Sequence, residues 1–228
     1  MTLNRLIRAV VFDLDGLMLN TEDVFELAGV ELLGRRGLEM TNDIRRGMMG
    51  RRPTEAFTVL KAATGLSESL EELMDETRLI FAELSRDRLE TMPGLHELLD
   101  LTEQLGLPRA VATSSPRGYM THLLTQFELL HRFHVTLTAE DVTRGKPHPE
   151  IYLAAAQRLS VAPEEMLVLE DSETGSRAAA AAGALVVSVP NRHTDYGDFS
   201  MSHLQVSHLG HELLHELLRR TALAHPLA

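Results

Sequence analysis

Short apolar, β-branched runs recur along this chain with helical spacing between them, and that alternation narrows the fold more than any other feature. Arg8–Asp13 (RAVVFD) predicts a short buried strand, ended by acids and Gly16. Similar runs recur at Arg109–Thr113, His134–Thr138, Met166–Leu169 and Ala184–Val189. Helical patterns occupy the intervals at Leu95–Leu105, Gly118–Leu129, Glu150–Leu159 and Glu173–Ala182. Strands alternating with helices of that length give βαβ units. The expected fold class is therefore α/β, a Rossmann-like parallel sheet with helices on both faces.

One stretch breaks the alternation. From Leu17 to about Leu89 there is helical periodicity and no strand pattern. Leu70, Leu73, Met74, Thr77, Ile80, Phe81 and Leu84 follow i, i+3, i+4, i+7 spacing, and Ser69 with Glu72 supplies a capping box at the start. Pro53 opens another helix and Gly65 closes it. The expectation is a core of residues 1–16 and 91–228 carrying an inserted all-α cap domain, 17–90. An insertion after the first strand is placed to cover the carboxyl edge of the sheet, where open α/β sheets bind ligands.

Composition then removes whole classes of function. The 228 residues carry 22 Lys and Arg against 33 Asp and Glu, a formal charge of −11. Such a chain is poorly suited to gripping a nucleic-acid backbone, so no nucleic-acid partner is expected. There is no Cys, hence no disulfide framework, thiolate metal site or cysteine nucleophile. The apolar stretch near the start is cut short by Asp13, and the Ala-rich run from Ala178 to Val187 is far below the roughly 20 residues that span a bilayer. The expectation is a cytoplasmic monomer with no membrane partner.

Four motifs carry chemistry. Phe12-Asp13-Leu14-Asp15-Gly16 ends the first strand with two carboxylates two residues apart, and Gly16 allows a sharp turn. Glu170-Asp171 follows a later strand, so the sheet can set both acid pairs at one edge. Four carboxylates together repel unless a cation is present, and an all-oxygen site suits Mg²⁺. Thr113-Ser114-Ser115 offers hydroxyls and backbone N–H groups near a helix start, which suit a phosphate. Lys146 lies between Arg144-Gly145 and Pro147-His148-Pro149, where the prolines stiffen its backbone and hold its charge in place.

In this order (FDLDG, VATSS, RGKPHPE, LEDSETG) the motifs resemble the haloacid dehalogenase superfamily over nearly the whole chain. The resemblance is greatest to the subgroup of β-phosphoglucomutase and sugar-phosphate phosphatases, whose helical cap is inserted just after the first motif. It implies an Mg²⁺-dependent phosphatase acting on a small phosphorylated metabolite through an aspartyl-phosphate. Asp13 would be the nucleophile and Asp15 the acid and base. Asp13, the backbone carbonyl of Asp15, Asp171, and Glu170 directly or through water, would hold the metal. Thr113 and Lys146 would neutralise the transferring phosphoryl oxygens, with Gly16 and Ser114 also toward the phosphate.

Departures from the pattern weigh against the alternative, a phosphosugar mutase. Mutase members resemble D-T-x-x-x-H followed by a Trp after the first motif; here Thr21 is kept, Phe25 stands at the His position, and the chain has no Trp. The Arg expected on the distal phosphate falls on Pro53, leaving Arg52 as the neighbouring candidate among Arg45, Arg46, Arg51 and Arg52. Halide displacement is disfavoured because it needs neither Asp15 nor the Glu170-Asp171 pair. A separate motif, His211-Glu212-Leu213-Leu214-His215, matches H-E-x-x-H but lies in an amphipathic terminal helix without an evident third ligand.

Overall fold

Strands β1 (Ala9–Phe12), β2 (Arg109–Ala112), β3 (Val135–Leu137), β4 (Met166–Glu170) and β5 (Leu185–Ser188) form where the apolar runs predict them. The computed structural model describes residues 5–48, 51 and 53–223; the side chains of 53 and 221–223 are not among those described. A sixth strand, β6 (Leu204–Gln205), was not predicted: two residues are too few to show a period. It joins the edge by parallel pairing of Val187 with Leu204.

All strand pairs are parallel, and the order across the sheet is β3-β2-β1-β4-β5-β6. Successive strands run outward from β1 in one direction as far as β3, and β4 then returns to the other side of β1. The direction of winding therefore reverses between β1 and β4, which is where an open sheet leaves a crevice at its carboxyl edge. Pairing of Phe12 with Leu169 brings the ends of these two strands level.

Alternating side chains point to opposite faces of the sheet. Ala9, Val11, Ala110, Ala112, Met166, Val168 and Val186 bury one face against α7 (Glu150–Leu159) and α8 (Glu173–Ala181). Val10, Phe12, Val111, Leu167, Leu169 and Val187 are fully buried on the other face. Full burial of each larger side chain contributes about 1.5–3 kcal/mol. Also in the core are α5 (Leu95–Gln104), α6 (Arg117–Gln126) and α9 (Glu212–Leu223). Among the described residues no helix is long and apolar enough to cross a membrane.

The helical insertion holds α1 (Thr21–Gly34), α2 (Asn42–Met48), α3 (Pro53–Thr64) and α4 (Leu70–Arg88). The chain divides into two compact units, Met1–Leu19 with Thr91–Ala228, and Asn20–Glu90. Within the insertion α1 packs on α4, and the rings of Phe25 and Phe81 stack 4.1 Å apart. Ser69 caps α4 by accepting from the Glu72 N–H, while Glu72 returns a bond to the Ser69 N–H at 2.8 Å.

Candidate active site

Strand β1 ends at Phe12 and the next residue, Asp13, donates its N–H to the Leu169 carbonyl of β4 (3.1 Å). That bond carries the pairing one step past the sheet and sets Asp13 beside Glu170. One carboxylate oxygen each from Asp13, Glu170 and Asp171 lies within 4.8 Å of the others, and all three residues are buried. Gly16, at φ +78°, then turns the chain; its N–H donates to Leu19 (2.9 Å) and its carbonyl accepts from Asn191 (3.1 Å).

Lys146 reaches this cluster from the loop before α7. Its Nζ donates to Asp13 Oδ1 (2.5 Å), to Glu170 Oε1 (2.6 Å) and to the Ala112 carbonyl (3.0 Å). It also sits 5.1 Å from the centre of the Tyr152 ring. Burial opposes its charge, yet Asp13 and Glu170 hold the ammonium well above its ordinary value. The lysine is therefore a fixed positive charge in a dry pocket.

Glu170 is fully buried and organised on every side. Oε1 also accepts from the Tyr152 hydroxyl (2.5 Å), and Oε2 accepts from the Ser172 hydroxyl (3.0 Å). Burial pushes the Tyr152 phenol well up, so it stays a neutral donor. The α8 start presses against the same carboxylate. A Cβ at Gly175 would fall 1.8 Å from Glu170 Oε1, so only glycine fits there. Asp171 is held by Asn191 Nδ2 at 3.0 Å.

Asp15 has a different setting. Its Oδ2 accepts from Ser115 Oγ (2.6 Å) and Thr113 Oγ1 (3.3 Å), and its Oδ1 accepts from Tyr119 Oη (3.1 Å). The buried Thr113 hydroxyl in turn accepts from the Ser115 N–H (3.0 Å). Ser114 is exposed, and the neighbouring Ser115 is the serine that reaches Asp15.

A hard divalent cation fits the Asp13–Glu170–Asp171 group. Its donors are all oxygen, and three buried carboxylates face one ammonium. Burial pushes the Asp13 carboxyl up to about 8, with Lys146 opposing and Glu170 and Asp15 adding. Burial and the neighbouring carboxylates thus work against the ionised form of Asp13, and a cation held by this group would favour it.

Of the remaining predicted residues, Arg52 lies outside the described residues. Arg45 is ion-paired with Glu26 inside the insertion, and Arg51 donates to the Gly47 carbonyl (2.7 Å). The H-E-x-x-H residues serve the local fold. His211 precedes α9 and accepts from the Leu213 N–H (3.2 Å), while a His215 ring nitrogen bonds the Leu209 carbonyl (3.1 Å). Among the described residues no third ligating side chain joins them.

Sequence patterns did not point to Tyr119, Tyr152, Ser172 or Asn191. Tyr152 sits in the buried stripe of α7 and looks like core; Asn191 lies in a loop with no motif of its own. Only Ser115 carried a signal, as the last hydroxyl of the Thr113-Ser114-Ser115 run.

A parallel sheet that gathers Asp13, Glu170, Asp171 and Lys146 where the winding reverses, with a helical insertion after the first strand, defines a Rossmann-like hydrolase core of the phosphoryl-transfer kind. The chain belongs to the haloacid dehalogenase-like hydrolase family, whose model matches residues 10–189. It is 34% identical over 179 residues to the phosphorylated carbohydrates phosphatase of Thermotoga maritima, covering 77% of this chain and 81% of that one. It is also 34% identical to the validoxylamine A 7'-phosphate phosphatase of Streptomyces hygroscopicus subsp. limoneus, covering 82% and 87%. Among solved structures, a HAD family hydrolase from Deinococcus radiodurans R1 with bound phosphate and sodium superposes with a TM-score of 0.79 at 27% identity, covering 95% and 97%.

Proposed function

We propose that this protein is an Mg²⁺-dependent phosphatase that hydrolyses a small phosphorylated metabolite, of the sugar-phosphate class, through an aspartyl-phosphate. The observation that carries it is Lys146, whose Nζ lies 2.5 Å from Asp13 and 2.6 Å from Glu170 where β1 and β4 end. That contact joins three motifs far apart in sequence into one buried cluster. The family and the phosphatases among the relatives support the same reaction.

Asp13 attacks phosphorus in line, and the bond from phosphorus to the ester oxygen breaks. Asp15 gives its proton to that oxygen as the alcohol departs. Water then attacks the aspartyl-phosphate, Asp15 takes a proton from it, and the bond from phosphorus to Asp13 breaks to release inorganic phosphate. Lys146 and Thr113 stabilise charge on the transferring group, with Gly16 shaping the turn and Ser114 at the exposed rim. Asp13, Asp171 and the Asp15 carbonyl, with Glu170 directly or through water, would hold Mg²⁺, which would supply positive charge to offset the carboxylates and the incoming phosphate.

Phe25 favours hydrolysis over mutation. Its ring is stacked on Phe81 as packing within the insertion, and it has no proton to give or take. The test is phosphate release from a panel of phosphorylated metabolites with Mg²⁺, including β-glucose 1-phosphate. Release that stops in EDTA and returns on adding Mg²⁺ is expected. Formation of glucose 6-phosphate without phosphate release would make the protein a mutase.

A further inference from the structure

Asp15 is gripped at both carboxylate oxygens, and one grip comes from a residue without an assigned task. Ser115 and Thr113 both donate to Oδ2, at 2.6 and 3.3 Å. The two oxygens turn together about the Cβ–Cγ bond, a torsion that is broad and roughly two-fold for Asp, so a donor on each oxygen restrains that rotation more tightly than donors on one alone. Tyr119, in the first turn of α6, adds the second restraint by donating from Oη to Oδ1 at 3.1 Å.

The chemistry of the grip differs from that at Asp13. Asp13 meets an ammonium, which has no lone pair to offer; Asp15 meets three neutral hydroxyls, each able to donate or accept. Hydroxyls can follow an oxygen that carries a proton at one stage and lacks it at the next. The three come from one continuous segment, the end of β2 through the start of α6, so a single loop conformation sets them all.

We propose that Tyr119 is a positioning residue for Asp15, fixing the rotation of its carboxyl group so that the proton is aimed at the leaving oxygen. This rests on the acid and base role proposed above for Asp15. It follows that Tyr119 matters most for substrates whose leaving group needs that proton. A sugar or sugar-alcohol phosphate releases a poor leaving group and needs protonation; p-nitrophenyl phosphate releases a stable phenolate and does not.

The experiment compares kcat/KM of Tyr119→Phe, Asp15→Asn and the unaltered protein on an alkyl phosphate taken from the metabolite panel and on p-nitrophenyl phosphate. This ratio reports the steps up to departure of the leaving group. Small misalignments of reacting groups have large effects on rate, so Tyr119→Phe should lose roughly tenfold more on the alkyl ester than on the aryl ester. Asp15→Asn should show the same preference more steeply. Equal losses on both esters, or none, in Tyr119→Phe beside a selective Asp15→Asn would overturn the role of Tyr119. An Asp15→Asn protein with no preference between the esters would instead overturn the acid role itself. A second variant guards against a folding defect: Ser115→Ala, alone and with Tyr119→Phe, should give non-additive losses on the alkyl ester only. Additive losses of equal size on both esters would count against the proposal.

Discussion

The two compact units use the same charged residue types to opposite effect. In the core, Lys146, Asp13 and Glu170 meet with side chains 6%, 9% and 0% exposed. In the insertion, Arg36 pairs with Glu68 and Glu76 at 2.8 and 2.5 Å, with side chains 19%, 32% and 31% exposed. The distances are alike and the surroundings are not. A charge out of water is costly unless its partners stay in place, whereas a half-exposed pair can fall back on solvent. The core cluster is therefore rigid and intolerant of change, and the insertion can alter its ion pairs at little cost. A net charge of −11 likewise divides into a few buried acids with a chemical task and many solvated ones.

The sharpest test of the contrast is Asp13→Asn, which keeps the shape and removes the nucleophile. Turnover should fall roughly a thousandfold or more while the circular dichroism spectrum is unchanged. A wild-type rate of phosphate release would break the assignment of the core cluster. Next in size is Lys146→Met, which leaves Asp13 and Glu170 buried without their cation. The expected loss is about 3–5 kcal/mol in urea unfolding at neutral pH.

Asp141 gives a smaller, pH-dependent effect. Burial opposes its charge, but bonds from Arg158, Thr138 and Arg117 prevail and hold the carboxyl well below 3.8. A depressed carboxyl stabilises the fold above its ordinary value, and that contribution fades as pH falls toward the lowered one. Asp141→Asn should thus be less stable than the parent by on the order of 1–2 kcal/mol at pH 7, with the gap narrowing below about pH 4. Parallel stability curves down to low pH would contradict this. The smallest effect belongs to the insertion: Arg36→Ala should cost at most about 1 kcal/mol in the same unfolding assay. If it cost as much as Lys146→Met, the contrast between buried and half-exposed clusters would collapse.

Much of this was legible in the sequence because strands β1, β2, β4 and β5 are buried on both faces and carry apolar runs, while β3 is half-buried along most of its length. Asp13, Glu170 and Asp171 were legible because they stand directly at the ends of such runs, where side chains gather at one edge. Lys146 was marked by its flanking prolines. Less of the surrounding support could be read. Tyr152 obeys the helical spacing of a core residue, and its hydroxyl bond to Glu170 spans 18 residues. Tyr119 lies 104 residues from Asp15, and no local pattern announces a pairing at that distance. Strand β6 has only two residues and exists because β5 offers it an edge.

What the sequence determined by itself was the alternation of strand and helix, the place of the helical insertion and the residue types at the strand ends, all of which follow from local periodicity and turn chemistry. Only the tertiary structure decided the order β3-β2-β1-β4-β5-β6, and with it the crevice that brings Asp13 beside Glu170 and Asp171. It also decided that Lys146 binds both Asp13 and Glu170, that Ser115 rather than Ser114 reaches Asp15, and that Tyr119 holds the other oxygen. The physical reason is range. Periodicity is set by neighbours a few residues apart, whereas these contacts are fixed by how the parallel strands are ordered and how far each loop carries its side chain beyond the sheet.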